Sequence, residues 1–149
     1  MVKISFPTAS LVAGSFVERK NRFLAAVRVD SQEVLAHVPN SGRMRELLVP
    51  GAPVMLLPKK GTSRKTAFEL LLVEYQGFWV AIDSRLPNQL VKMALEKGYF
   101  EYFNSYHKVK AEHVYGLSRF DFYLPESPPC LMEVKSVTLV EEGVAMFPD

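Results

Sequence analysis

The sequence predicts a mixed β and α/β chain: a small closed β-barrel over residues 1–82, then an αβββ domain over residues 83–149. Three observations carry this. Five or six short runs rich in Val, Leu, Ala and Phe crowd into the first 82 residues, separated by turn formers. A helix signal, opened by a proline and closed by a glycine, follows at Leu86–Gly98, with strand-like runs after it. The charge divides at the same place. Residues 1–82 hold 11 Lys/Arg and 6 Asp/Glu, a net +5, while residues 83–149 hold 7 and 10, a net −3. A basic half beside an acidic half points to polyanion attraction in the first and carboxylate chemistry in the second.

Taken in order, Gly14–Arg19 and Arg22–Val29 read as strands joined by a two-residue turn at Lys20-Asn21. Gln32–Val38 is a third strand, ended by the turn formers Pro39-Asn40-Ser41-Gly42. Met44–Leu48 reads as one helical turn, stopped by Pro50-Gly51. Val54–Leu57, Ala67–Tyr75 and Phe78–Ile82 complete the set, the last two joined at Gln76-Gly77. So many short strands in so short a span favour a closed barrel, because closure removes exposed edges, and a five-stranded oligonucleotide-binding (OB) barrel fits the size. In the helix, Leu90, Val91, Ala94 and Leu95 mark one face and Gln89, Lys92 and Glu96 the other. Glu112–Tyr115, Arg119–Leu124 and Leu131–Leu139 then read as strands, and Glu141-Glu142-Gly143 turns into Val144–Phe147.

The 149 residues, 48% hydrophobic and 23% charged, describe a globular chain of one or two small domains. No apolar run approaches the ~20 residues that span a bilayer, which argues against a membrane protein, and the N-terminus carries no secretory pattern. The single cysteine, Cys130, excludes an internal disulfide and a cysteine-built zinc site. These features lead us to expect a reducing, cytoplasmic setting.

Strand alternation in Arg119–Leu124 puts Phe120, Phe122 and Leu124 on one face and Asp121 on the other. In Leu131–Val137 it puts Glu133 and Lys135 on one face. Adjacent strands would bring Asp121, Glu133 and Lys135 together as catalytic candidates. Two carboxylates suit a hard ion such as Mg²⁺ (or Mn²⁺), and a lysine could orient the attacking water at a phosphate. The plainer alternative is a solvent-facing strand with an exposed Glu–Lys pair. Apolar residues on both faces of Leu131–Leu139 count against it, because charges in a doubly buried strand need partners or a metal.

The basic half offers three clusters: Arg19, Lys20 and Arg22 around a turn; Arg43 and Arg45 after His37; and Lys59, Lys60, Arg64 and Lys65 around Gly61. Such loops could grip phosphates, with Phe16, Phe23 or Tyr75 available for base stacking. The alternative is a set of solvated loops, with Glu18 paired to Arg22 and His37 a hydrogen-bonded structural histidine.

The segments Glu18-Arg-Lys-Asn-Arg-Phe23, His37-Val-Pro-Asn-Ser-Gly-Arg-Met-Arg-Glu-Leu47, Arg64-Lys-Thr66, Pro87-Asn88, Ser118-Arg-Phe-Asp121, Glu133-Val-Lys-Ser-Val-Thr-Leu139 and Phe147-Pro-Asp149 resemble the sugar fermentation stimulation protein family. The resemblance implies an OB-like barrel followed by a domain similar to the PD-(D/E)xK nucleases. It also implies non-specific DNA binding and a regulatory role in sugar (maltose) metabolism; single-stranded nucleic acid is a further candidate partner, separate from the resemblance. Asp121, Glu133 and Lys135 would fill the nuclease-like positions, with Glu112 as a further metal ligand. The family's members continue well beyond the Phe-Pro-Asp motif, so the nuclease-like domain is expected to be incomplete.

Overall fold

The computed structural model describes residues 10–59 and 66–147. Two compact units divide the chain: residues 10–84 with 137–147, and residues 85–136.

In the first unit, strands β1 (Val12–Asn21), β2 (Leu24–Val29), β3 (Gln32–His37), β4 (Pro53–Pro58), β5 (Phe68–Tyr75) and β6 (Phe78–Ala81) form one sheet in the order β3-β2-β1-β4-β5-β6. A parallel pairing, Ala36↔Phe68 and His37↔Glu69, joins β3 to β5 and closes five strands into a barrel. β6 extends it by pairing with β5 from Leu72↔Ala81 to Tyr75↔Phe78. Phe16, Ala25, Val27, Ala36, Val54 and Leu56 point inward as the pleat requires, and Leu70 and Val73, three apart because the β4–β5 register shifts between them, complete this part of the core.

The first hairpin turns later than the sequence indicates. β1 runs to Asn21, which pairs with Leu24, so the turn residues are Arg22 and Phe23 rather than Lys20 and Asn21. Register shifts between Phe16 and Glu18 and between Arg19 and Asn21 carry the strand past the expected end. The Asn21 Oδ1 then accepts the Phe23 N–H at 2.9 Å, an Asx arrangement that fixes the turn.

Met44–Leu48 makes the expected single turn, with Leu48 N–H donating to the Met44 carbonyl at 2.9 Å. Met44 and Leu47 enter the barrel core, while Arg43 and Arg45 stay exposed. Residues on either side of one buried anchor are therefore forced outward. Strands β10 (Leu139–Glu141) and β11 (Val144–Met146) form a hairpin that belongs to this unit, where Thr138 Oγ1 donates to Glu46 Oε1 at 3.2 Å.

The second unit holds helix α1 (Leu86–Glu96), a 3₁₀ turn at Glu101–Phe103, and a three-stranded sheet of β7 (Lys110–Tyr115), β8 (Ser118–Leu124) and β9 (Cys130–Met132). The helix has Pro87 in its first turn and buries Leu86, Ala94 and Leu95. Gly98, at φ 65°, ends it: Gly98 N–H donates to Leu95 and Tyr99 N–H to Ala94, the Schellman pattern that needs a left-handed residue. Phe122 and Leu124 are buried, as the alternation in β8 requires.

The strand expected over Leu131–Leu139 does not form as one element. β9 stops at Met132, and Leu139 pairs in the hairpin of the other unit. Continuing the β8–β9 register one step beyond Phe122↔Met132 would place Glu133 directly opposite Asp121, two like charges in contact. Instead the Asp121 side chain takes the Val134 N–H, and the ladder ends.

Among the described residues no helix is long and apolar enough to cross a membrane.

Candidate nucleic-acid interface and carboxylate pair

The barrel carries two depressions that share the β1–β2 turn. One, of about 420 Å³, is lined by Arg19, Arg22, Ser41, Arg43, Arg45 and Leu48. Its organiser is Arg19. Nη1 donates to the carbonyls of Gly42 and Arg43, and Nη2 to those of Arg22 and Asn40, at 2.5 to 3.0 Å. Burial, then the neighbouring Arg22 charge, pulls its pKa below the usual arginine value. Asn40 completes the scaffold: its Nδ2 donates to the Ile82 carbonyl and its Oδ1 accepts from Gly42 N–H, both at 2.8 Å. Among the described residues, none of Arg22, Arg43 and Arg45 has a carboxylate at ion-pair distance.

The second depression, of about 590 Å³, is lined by apolar Phe23, Leu24, Leu35 and Phe68 and by polar Asn21, His37, Lys59, Thr66 and Glu69. Phe23 and Leu35 are 49% and 42% exposed, unusual for residues flanking a well-packed core. The His37 ring stacks near Phe23, centroids 6.4 Å apart and planes at 27°, and its Nδ1 donates to the Phe23 carbonyl at 3.1 Å. The structural reading of His37 therefore holds.

The expected basic residues thus differ in what they are free to do. Arg22, Arg43 and Arg45 converge. Arg19 instead bonds to backbone carbonyls. Lys20 pairs with Glu18, which holds its ammonium pKa up, because residues two apart share a strand face; Glu18 does not reach Arg22. Lys59 bonds the buried Glu69 at 3.0 Å. Lys60, Arg64 and Lys65 lie outside the described residues.

In the second unit, the half-buried Asp121 accepts from Asn88 Nδ2 through one oxygen and from Val134 N–H through the other, both at 2.7 Å. This ties helix α1 to β8 and to the segment that carries Glu133 and Lys135. Glu133 and Lys135 pair with each other at 2.5 Å, their side chains 43% and 54% exposed, so the doubly buried strand expected around them is absent. Glu112, at φ 54°, drops out of the β7–β8 pairing between Ala111↔Phe122 and His113↔Phe120, and its carboxylate sits 3.9 Å from Arg119. Among the described residues no three His, Cys, Asp or Glu side chains group as a metal site. Asp121 and Glu133 are oxygen donors of the type a hard cation takes, but both Asp121 oxygens already accept hydrogen bonds and Glu133 is paired with Lys135. The sequence marks Asn88 only as part of the family-like Pro87-Asn88 segment and gives it no role, and it does not mark Leu35, whose exposure follows from the alternation Glu33-x-Leu35-x-His37.

Two family models match the chain: "SfsA N-terminal OB domain" over residues 17–82 and "Sugar fermentation stimulation protein RE domain" over residues 85–149. A sugar fermentation stimulation protein homolog of Clostridium kluyveri is 44% identical over 94% of this chain and 62% of its own length. The homolog of Desulforamulus reducens is 51% identical over 93% of this chain and 58% of its own length. The solved structure of Pyrococcus furiosus SfsA in complex with Ca²⁺ superimposes with a TM-score of 0.80 at 33% identity, covering 93% of this chain and 60% of that one. The chain thus spans about 60% of the length of these relatives.

Proposed function

Since the chain belongs to the sugar fermentation stimulation protein family, we propose that it binds DNA through its barrel, gripping the phosphodiester backbone with little base readout. The observation that carries this is the single depression in which Arg22, Arg43 and Arg45 converge without carboxylate partners. Arginine forks match phosphate geometry, and backbone contacts carry no sequence information. In this reading residues 1–82 are the binding domain and residues 83–149 hold the carboxylates. The link to sugar (maltose) metabolism would act through that binding, as regulation.

Affinity measured at rising salt tests it. Neutralising three or four phosphates gives a log–log slope of about −3 to −4, and each of Arg22→Ala, Arg43→Ala and Arg45→Ala should flatten it by about 0.9. A flat response in the unaltered chain would overturn the reading.

A second reading is favoured by the Ca²⁺ in the Pyrococcus furiosus relative and by the contact of Asp121 with Val134, between Glu133 and Lys135. Here Asp121 and Glu133 would hold Mg²⁺ or Mn²⁺. The ion would polarise a phosphodiester and lower the pKa of a bound water. Lys135, released from Glu133, would face the phosphate. Cleavage should then stop on chelation and in Glu133→Ala, and equal cleavage by that variant would exclude this site.

A further inference from the structure

We infer that the β7–β8 hairpin is a wedge whose apolar tip enters the base stack of a DNA duplex and opens one step of it. This rests on the DNA-binding reading above and adds a second contact, carried by residues 85–136 rather than by the barrel. Tyr115 pairs with Ser118, which leaves Gly116-Leu117 as a two-residue turn, and Gly116 takes the left-handed φ of 61° such a turn needs. Turns of this kind ordinarily carry polar residues. Here Val114, Tyr115 and Leu117 are 63%, 67% and 109% exposed. Among the described residues nothing lies within 4 Å of where a Cβ would stand on Gly116, so the turn projects clear of the protein. Three apolar side chains thus cluster at one tip with no core to join.

The stem holds that tip in place. Its strands pair from Lys110↔Tyr123 to Tyr115↔Ser118. The His113 ring stacks on Tyr123, centroids 4.2 Å apart and planes at 17°, and Lys110 Nζ lies 6.0 Å from the centre of the same ring. The charge around the stem selects the partner. Over residues 107–120, Lys108, Lys110 and Arg119 stand against Glu112 alone, a net +2 that favours a polyanion. The major groove of DNA admits a two-stranded ribbon. Apolar side chains pushed between base steps unstack them, and cations beside such a wedge can hold the flanking phosphates. The same strand leads to the candidate carboxylates. Asp121 follows Leu117 by four residues on β8, about 13 Å of extended chain. At a rise of about 3.4 Å per base pair, the opened step falls within about four base pairs of that carboxylate.

The test uses the full chain at low salt and a short duplex carrying 2-aminopurine at several positions, a base that brightens when it unstacks. Saturating protein should raise the emission severalfold. A duplex with one central mismatch, already partly unstacked, should bind about tenfold tighter than the matched one. Leu117→Ser and Tyr115→Ser should abolish both responses while keeping the matched-duplex affinity within about threefold and the same salt slope. Their melting temperatures should equal that of the unaltered chain, because both side chains are exposed. Saturable binding with unchanged emission, or variants that respond like the unaltered chain, would overturn this inference and leave backbone binding intact. A lowered melting temperature in either variant would mean that the tip packs on the protein, and would overturn it as well. So would Leu117-dependent binding to phosphatidylglycerol vesicles without any 2-aminopurine response, which would assign the tip to lipid. Failure to bind the duplex at all would remove both readings.

Discussion

At the scale of the residue, Arg19 shows how one side chain can be mistaken for a ligand contact. In sequence it is one of three cations at a turn; in the fold its four Nη hydrogens serve four carbonyls. It shapes the loop from which Arg43 and Arg45 project and the turn that carries Arg22. Charged hydrogen bonds contribute about 1.5–3 kcal/mol each, but part of this set is solvent-accessible and the bonds share one group. Arg19→Ala should therefore cost about 2–3 kcal/mol in a denaturant titration. Lysine should not rescue it, since an ammonium lacks the planar fork. If Arg19 positions the other arginines, its loss should weaken DNA as much as losing two of them, and the combined variant should be clearly less than additive.

At the scale of the element, the end of β9 is decided by Asp121. A ladder bond is replaced by a carboxylate–N–H bond, and the second carboxylate oxygen holds Asn88 on α1. One side chain thus joins a helix, a strand and an irregular segment. Asp121→Ala removes both acceptors and leaves the Val134 N–H and the Asn88 amide without their partner. The variant should lose about 2–3 kcal/mol of stability without any metal present, measured by the 222 nm signal in urea. Unchanged stability would show that these bonds carry little, and would leave the carboxylate to ligand chemistry alone.

At the scale of the whole molecule, the two units have unequal cores. The barrel unit buries Phe16, Val27, Val54, Leu56, Leu70, Val73 and Ile82 among others, whereas residues 85–136 bury Leu86, Ala94, Leu95, Phe122 and Leu124. Burial at ~25 cal/mol per Å² makes that difference one of several kcal/mol. The single tryptophan, Trp79, lies on β6 and reports the barrel. Helix α1 dominates the helical signal of the described residues. Urea should therefore abolish the helical ellipticity at a lower concentration than it shifts Trp79 fluorescence. Coincident transitions would mean that the units unfold as one.

The sequence by itself determined the barrel, the helix with its proline start and glycine stop, and the family. Each of these is written in local signals: alternation with period two, turn formers, capping residues and motif order. It also named the charged residues proposed to act, Arg22, Arg43 and Arg45 in the barrel and Asp121, Glu133 and Lys135 after it. The tertiary structure decided which of those residues are free. Whether Arg19 meets a phosphate or a carbonyl depends on a loop 21 to 24 residues away. Whether Glu133 lies in a strand depends on Asp121 and its competing hydrogen bond, and whether Phe23 is core or cleft depends on a register shift in β1. Local chemistry sets what each side chain can bond. Only the folded chain sets which partner arrives first.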